Sequence, residues 1–488
     1  MNQLFKYTIS AAAALPVFAD QIQKPNIVYI LTDDLGYGDV ACNNPESKIA
    51  TPHLDKLASQ GMRFTDAHTN SAVCTPTRYG IMTGRYCWRT PLKSKVLDGY
   101  SDHLIEDGRT TVGSYLQKQG YETALIGKWH LGWDWALKAG HTRTGFKKKT
   151  PRSSAANAST VDFSKPITHG PDTNGGFDYH FAAVASLDFP PYVYVENSQP
   201  LSVPTKNSSG KGWRKGLTAD DFKHVESTPE YMKRSIKYIK ERAESKKPFF
   251  LYIPLPSPHT PIVPTDQFKG KSGLNTYADF VIQVDWTTGQ IVNAIDEAGL
   301  SENTIVIFTS DNGCSPRANI KQLKQKGHDP HAGMLGTKSD IWEGGHRVPF
   351  FVRWPKKIKA GQVNNQLIGV TDLLATAADI CQVPLKANEG EDSISILPTL
   401  LDKTKPIRSE YIVHSVNGKF GIRQGDWVYL DCKGSGGWSK SKDNSPVQLY
   451  NLKEDLFQTT NVYKKYPEKV KAMKALLEKQ KSQGHSRP

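Results

Sequence analysis

Cysteine is scarce in this chain, with six among 488 residues, too few for a disulfide scaffold. No later stretch of about eighteen apolar residues follows the N-terminus, so no membrane-spanning helix is expected. No internal repeat stands out. Negative charge is in deficit: 48 Asp and Glu against 62 Lys and Arg leave a net +14. That excess suits an anionic partner, whether nucleic acid, an anionic surface or an acidic polymer, and selects none of them. What remains is a globular composition, 38% hydrophobic and 23% charged, which excludes a disordered or collagen-like chain. The length fits two to four domains, or one large α/β domain with an appendage.

Residues 1–19 read as a secretory signal peptide. Lys6 precedes the short apolar run Tyr7 to Leu15, Pro16 breaks it, and Val17-Phe18-Ala19 resembles a small-residue cleavage site. The run is too short to span a bilayer. The mature chain is therefore expected to be exported, periplasmic or secreted, where disulfides are permitted.

Four short apolar runs rich in β-branched and aromatic residues read as buried strands: Asn26 to Leu31, Glu122 to Ile126, Phe249 to Ile253 and Thr304 to Thr309. Helices are expected between them. Thr51-Pro52 opens one as N-cap and N1, closed by Gly61; Thr111 to Gln119 repeats that grammar; Asp279 to Ala298 is helical in composition. Strands alternating with helices predict an α/β fold, a large mostly parallel sheet sandwiched by helices, over residues 24–400. Glu410 to His414, Phe420 to Arg423 and Trp427 to Leu430 predict short antiparallel strands, and Tyr466 to Gln480 a terminal helix. Residues 401–488 thus read as a smaller α+β C-terminal subdomain. Residues 141–176, with Lys147, Lys148, Lys149 and Arg152, read as a basic loop, either solvated or near a binding face.

Ligands of open α/β sheets bind at the carboxyl ends of parallel strands. All four runs end in polar residues: Asp33 and Asp34; Lys128 and His130; His259; Asp311 and Asn312. Convergence of four such endings implies one pocket. Asp33, Asp34, Asp311 and Asn312 offer only oxygen donors, which suits a hard divalent cation such as Ca²⁺ or Mg²⁺. Taken singly, Asp-Asp and Asp-Asn-Gly are ordinary turn sequences.

Cys74-Thr75-Pro76-Thr77-Arg78 is less ordinary. Cys-x-Pro-x-Arg around any of six cysteines has a chance probability of about 2% at average residue frequencies. The segment reads as loop then helix, which places Cys74 near a helix N-terminus, where anions are favoured.

On these residues the chain resembles the type I (formylglycine-dependent) sulfatases of the alkaline phosphatase superfamily. Gly-Lys-Trp-His-Leu-Gly at 127–132, Gly-Thr-Lys at 336–338 with the Trp-Glu-Gly-Gly-His-Arg-Val-Pro that follows, and Leu449-Tyr-Asn-Leu-Lys-Glu-Asp extend the resemblance over nearly the whole mature chain. Asn451, Leu456 and Gln458 depart from the family pattern. The resemblance implies an alkaline phosphatase-like fold and conversion of Cys74 to 3-oxoalanine (formylglycine) by a maturation enzyme. It implies one Ca²⁺ held by Asp33, Asp34, Asp311, Asn312 and residue 74. It implies Arg78 holding the hydrate, and Lys128 and Lys338 offsetting charge on the sulfuryl group. His130 is then the base for the second hydroxyl, and His259 the donor to the leaving oxygen.

An exported basic sulfatase fits a sulfated oligo- or polysaccharide, an algal polymer such as ulvan, carrageenan or fucoidan, or a glycosaminoglycan. The match resembles the arylsulfatase A and N-acetylgalactosamine-6-sulfatase side of the family. Candidate sugar contacts are His180, His328, His331, Arg317, Trp133 and Trp135, the two tryptophans fitting a core role equally well. Rival readings are a phosphatase or phosphonate hydrolase of the same superfamily and a noncatalytic sulfated-glycan binder. Export and the absence of a recognised motif oppose a nucleic-acid partner. Apart from Cys74, five cysteines remain, so at least one is expected to be free or paired outside the chain.

Overall fold

The computed structural model describes residues 24–143, 156–245 and 247–487. The expected signal peptide, Lys147 to Lys149 and Arg152 lie outside the described residues.

The four apolar runs form neighbouring parallel strands. Asn26–Asp33 lies between Thr304–Ser310 and Phe249–Pro258, and Glu122–Lys128 pairs with the far side of Phe249–Pro258. Tyr179–Ala183, not read from the sequence, adds a fifth parallel strand. These strands are buried along nearly all of their length, because helices cover both faces; that is why they read as continuous rather than alternating apolar runs. Phe350–Arg353 joins antiparallel beyond Thr304–Ser310, followed by Met62–Phe64 and Gln362–Asn364. Val195–Glu196 and Gln199–Pro200 complete the other edge of the ten-stranded sheet.

Two groups of helices flank this sheet. Thr276–Glu297 packs on Pro52–Ser59 and Ser227–Ala243, while Cys74–Thr83, Val112–Lys118 and Leu373–Cys381 pack on one another. Thr111 caps its helix as expected, its Oγ1 accepting from Ser114 N at 3.1 Å. Thr51 does not. Its hydroxyl accepts from Ala41 N instead, and the carboxylate of Asp285 takes the N–H groups of His53 and Leu54. Burial pushes the Asp285 carboxyl up to about 7 despite those two donors. The helix ends at Ser59, and Gly61 serves a different need: a Cβ there would lie 2.1 Å from Val352 O.

Beyond residue 401 the three expected strands pair as an antiparallel meander, and Gln448–Asn451 adds a fourth. Helix Pro467–Ser482 packs over the two middle strands. Their apolar cluster includes Tyr411, Ile422, Leu449, Met473 and Leu477, and also Tyr86, Trp88, Ile341 and Trp342 from the larger part of the chain. The C-terminal unit therefore builds its core partly from residues of the larger part of the chain, as a cluster separate from that of the main sheet. All six cysteines are free.

Candidate active site

The polar strand ends meet. Asp33 closes the first strand and Asp34 follows with φ +68°; His130, two residues past the end of Glu122–Lys128, has φ +58°. Neither is glycine, so both hold backbone conformations that cost energy and persist only where the surroundings fix them. Across the pocket, Cys74 begins a helix whose ten residues are all buried. Gly84 ends it in the left-handed conformation, with its N–H on Gly80 O.

Arg78 on that helix ties the strand ends together. Its Nε and Nη2 donate to Asp311 Oδ2 at 3.0 and 2.8 Å, its Nη1 to Lys128 O at 3.0 Å, and Nη2 lies 3.6 Å from Asp33 Oδ2. Lys128 Nζ donates to Asp33 Oδ2 and Ser186 Oγ. Lys338 Nζ donates to Asp34 Oδ1, as does Asn312 Nδ2 at 2.7 Å. Burial alone would raise the Asp33 carboxyl; Lys128, His259 and Arg78 outweigh it and hold the group well below the usual carboxylate range. Burial alone would likewise lower Lys338, but Asp34 beside it raises the ammonium, which stays charged.

This pattern leaves one oxygen free on three of the four candidate ligands. Asp33 Oδ1, Asp34 Oδ2 and Asn312 Oδ1 are buried without a hydrogen-bond partner. Asp311 Oδ1 takes only the Asp34 N–H, at 3.3 Å. Buried acceptors without donors are costly. An all-oxygen set of three carboxylates and an amide fits a hard divalent cation, which would satisfy them together.

The histidines differ. His130 is fully buried; its Nε2 lies 3.0 Å from Leu97 O, an acceptor only, so Nε2 carries the proton and Nδ1, without a partner, is a bare lone pair. Burial, reinforced by Lys128 and Arg78, pushes His130 well below its ordinary pKa, so it is neutral. His259 sits at the mouth, its side chain 11% exposed; Nδ1 donates to Thr260 O at 2.6 Å, and Nε2 lies 3.7 Å from Asp34 Oδ2.

The profile of the sulfatase family matches residues 25–383. The chain belongs to the sulfatase family. It is a sulfuric ester hydrolase, and the phosphate-ester and noncatalytic alternatives give way to that assignment. An N-acetylgalactosamine-6-O-sulfatase of Bacteroides thetaiotaomicron is 34% identical over 507 aligned positions, covering 94% of this chain and 94% of the relative. The N-acetylgalactosamine-6-sulfatase of Rattus norvegicus is 30% identical, over 82% of this chain and 70% of its own length. A solved Bacteroides thetaiotaomicron structure, described under the metabolism of multiple glycosaminoglycans, superposes with a TM-score of 0.81 at 31% identity, over 94% of this chain and all of its own.

The candidate sugar contacts of this sulfatase fare unevenly. Trp133 and Trp135 are 0% and 1% exposed and pack edge to face at 5.2 Å, so they are core rather than a sugar platform. His180 is buried, its Nε2 accepting from Ser198 N; His328 is buried against Asp39 Oδ1 at 2.9 Å. His331 is buried with Nε2 3.4 Å from Cys314 O. Each thus has an internal partner and at most 3% of its surface exposed. Arg317 alone of the six is exposed, in the turn after Asp311 and Asn312. Sequence reasoning missed Ser186, because nothing marked the strand that delivers it. It also missed the C-terminal loop whose Trp438 and Ser439 N–H groups donate to Asp340 Oδ1.

Proposed function

We propose that this sulfatase hydrolyses sulfate esters of an anionic carbohydrate, of glycosaminoglycan or algal-polysaccharide type, with residue 74 converted to formylglycine and Ca²⁺ as the resident cation. We further propose that it acts after export and that residues 24–400 form its catalytic domain. The observation that carries the reading is the set of unpartnered oxygens on Asp33, Asp34 and Asn312, flanked by Arg78, Lys128 and Lys338 and aligned with the helix that starts at Cys74. The named activities of the relatives support the carbohydrate class.

The residues support a division of labour. Burial pushes the Cys74 thiol up, against the pull of Lys128 and Lys338, so the encoded side chain is a poor thiolate nucleophile. A hydrated aldehyde offers two hydroxyls on one carbon: one is sulfated as the alcohol leaves, and loss of a proton from the other restores the C=O and expels sulfate. A bound divalent cation would supply positive charge to the sulfate and hydrate oxygens. Arg78 fixes the metal-side carboxylates, and Lys128 and Lys338 lie where charge gathers on the transferring group. His130, neutral with a bare Nδ1, suits proton removal from the second hydroxyl. His259, at the mouth, suits proton delivery to the leaving oxygen.

The test is sulfate release from a panel of defined galactose, N-acetylgalactosamine, glucosamine, fucose and rhamnose sulfates, monomeric and polymeric, with Ca²⁺ present. Conversion of residue 74 is checked by peptide mass in the same sample. Release from one class names the sugar. Full conversion with no release from any member defeats the carbohydrate reading, and brisk turnover by an unmodified thiol defeats the formylglycine one.

A further inference from the structure

The C-terminal loop that follows Trp427–Leu430 lies along the segment carrying Lys338. Ile341 N donates to Ser435 O at 2.8 Å, Trp438 N donates to Ser339 Oγ and Asp340 Oδ1, both at 3.0 Å, and Ser439 N to Asp340 Oδ1 at 3.1 Å. The approach is so close that a Cβ on Gly437 would lie 2.4 Å from Ser339 O. Ser435 Oγ, which donates to Ser439 O and accepts from Gly437 N, closes the loop on itself. On the other side Ser339 N donates to Ala72 O at 2.7 Å, two residues from Cys74. The loop backbone is therefore fixed, one hydrogen bond from the residue next to Lys338.

On this rigid base stands an indole with little to do for folding. Trp438 is 54% exposed, whereas Trp88, Trp133, Trp135 and Trp342 are buried. Around it, Lys433, Lys440 and Lys442 are exposed on the same loop and Lys419 on the strand connection that Gly436 touches. None of the four pairs with a carboxylate among the described residues. The nearby acids are engaged internally: Asp431 accepts from Tyr429 Oη, and Asp443 from Ser445 N and Asn461 Nδ2. An exposed aromatic face amid unpaired ammonium groups, held next to the catalytic segment, matches a ring bearing anionic substituents: C–H faces for the indole, sulfate or carboxylate for the lysines.

We propose that Trp438, with Lys433, Lys440, Lys442 and Lys419, forms a subsite for the sugar residue adjoining the one desulfated. This rests on the carbohydrate reading above and extends it: the enzyme recognises at least two linked residues of a sulfated glycan.

The experiment compares kcat/KM on three substrates: 4-nitrophenyl sulfate, the cleaved monosaccharide sulfate, and the disaccharide or longer oligomer that contains it. Trp438→Ala lowers the oligomer-to-monosaccharide ratio about tenfold, through KM, and Trp438→Phe restores most of it. Lys440→Ala with Lys442→Ala lowers the same ratio and flattens its salt dependence. Loss of the same factor on all three substrates assigns Trp438 a structural role and overturns the subsite, as does an unchanged ratio in every variant. If the wild-type enzyme cleaves only the aryl sulfate, the carbohydrate reading falls and takes the subsite with it. Melting temperatures of all variants are measured alongside, and the lysine pair supplies the answer should Trp438→Ala not fold.

Discussion

Two N–H groups of Arg78 converge on one oxygen of Asp311, and both side chains are sealed from solvent. That leaves the second Asp311 oxygen turned to the pocket. Removing one partner of a buried pair strands the other charge, at a cost of about 3–5 kcal/mol. Arg78→Ala is expected to lower the melting temperature sharply and abolish turnover. Arg78→Lys keeps the charge but cannot donate through both Nε and Nη2, so it recovers part of the stability and little of the activity. Circular-dichroism melts and sulfate release measure both; a stable, active Arg78→Ala would contradict the arrangement.

Chelation should act on stability as well as on rate. A cation that binds only the folded chain stabilises it by about 2.7 kcal/mol at a hundredfold excess over its dissociation constant. Dialysis against EGTA is expected to lower the melting temperature, and Ca²⁺ to restore it. In Asp34→Asn with Asn312→Ala, where two of the unpartnered oxygens are altered, the Ca²⁺-dependent rise should vanish. A rise of the same size in that variant would place the ion elsewhere.

The two histidines should separate by leaving group. If His259 protonates the departing alcohol, His259→Ala costs about 10²–10⁴-fold on a sugar sulfate and far less on 4-nitrophenyl sulfate, whose phenolate leaves unaided. His130→Ala should slow both substrates, because the step after departure is common to them. Equal losses for His259→Ala on both would remove it from the proton-delivery role.

Away from the pocket, Glu343 and Arg347 form a buried i,i+4 pair at 2.7 Å. Burial alone would raise Glu343; Arg347 and the neighbouring His68 outweigh it and hold the carboxyl at about 2. A depressed folded-state pKa stabilises the fold above the unfolded value of about 4.3 and loses that contribution as pH falls toward 2. The stability gap between wild type and Glu343→Gln, from urea unfolding, should be largest at pH 7 and shrink from about pH 4.5 downward. A gap that is constant with pH would mean that Glu343 contributes packing alone.

Trp135 offers a control on the sugar assignments. It is buried, and its Nε1 donates to Gly99 O at 2.8 Å. Trp135→Ala is expected to cost about 3–5 kcal/mol of stability. The fraction that folds should keep its KM, which a sugar-stacking tryptophan would not.

The strand ends were legible because buried parallel strands are written as plain apolar runs, and because the polar residues that end them have no packing reason to be there. Cys74 to Arg78 stood out by spacing. The tryptophans at 133 and 135 could not be sorted by composition, since an indole serves a core and a sugar face equally well and only burial separates them. Thr51 had the grammar of a cap but lost the position to Asp285, far away in sequence, and no local pattern announces such a replacement. Ser186 was hidden for a similar reason: its strand pairs by register with Glu122–Lys128 and carries no distinctive run of its own.

The helix that begins at Cys74 is buried on every side, and the loop before it is locked by the Ala72 N–H donating to His414 O at 3.0 Å. A second protein cannot reach the Cys74 sulfur once that lock has formed, and the lock cannot form until residue 414 has been made. The conversion of residue 74 proposed above would therefore be a matter of timing. On that proposal the window for it would shut as the last part of the chain folds back over the segment, so slowed folding would raise the converted fraction and rapid closure would leave the thiol unaltered.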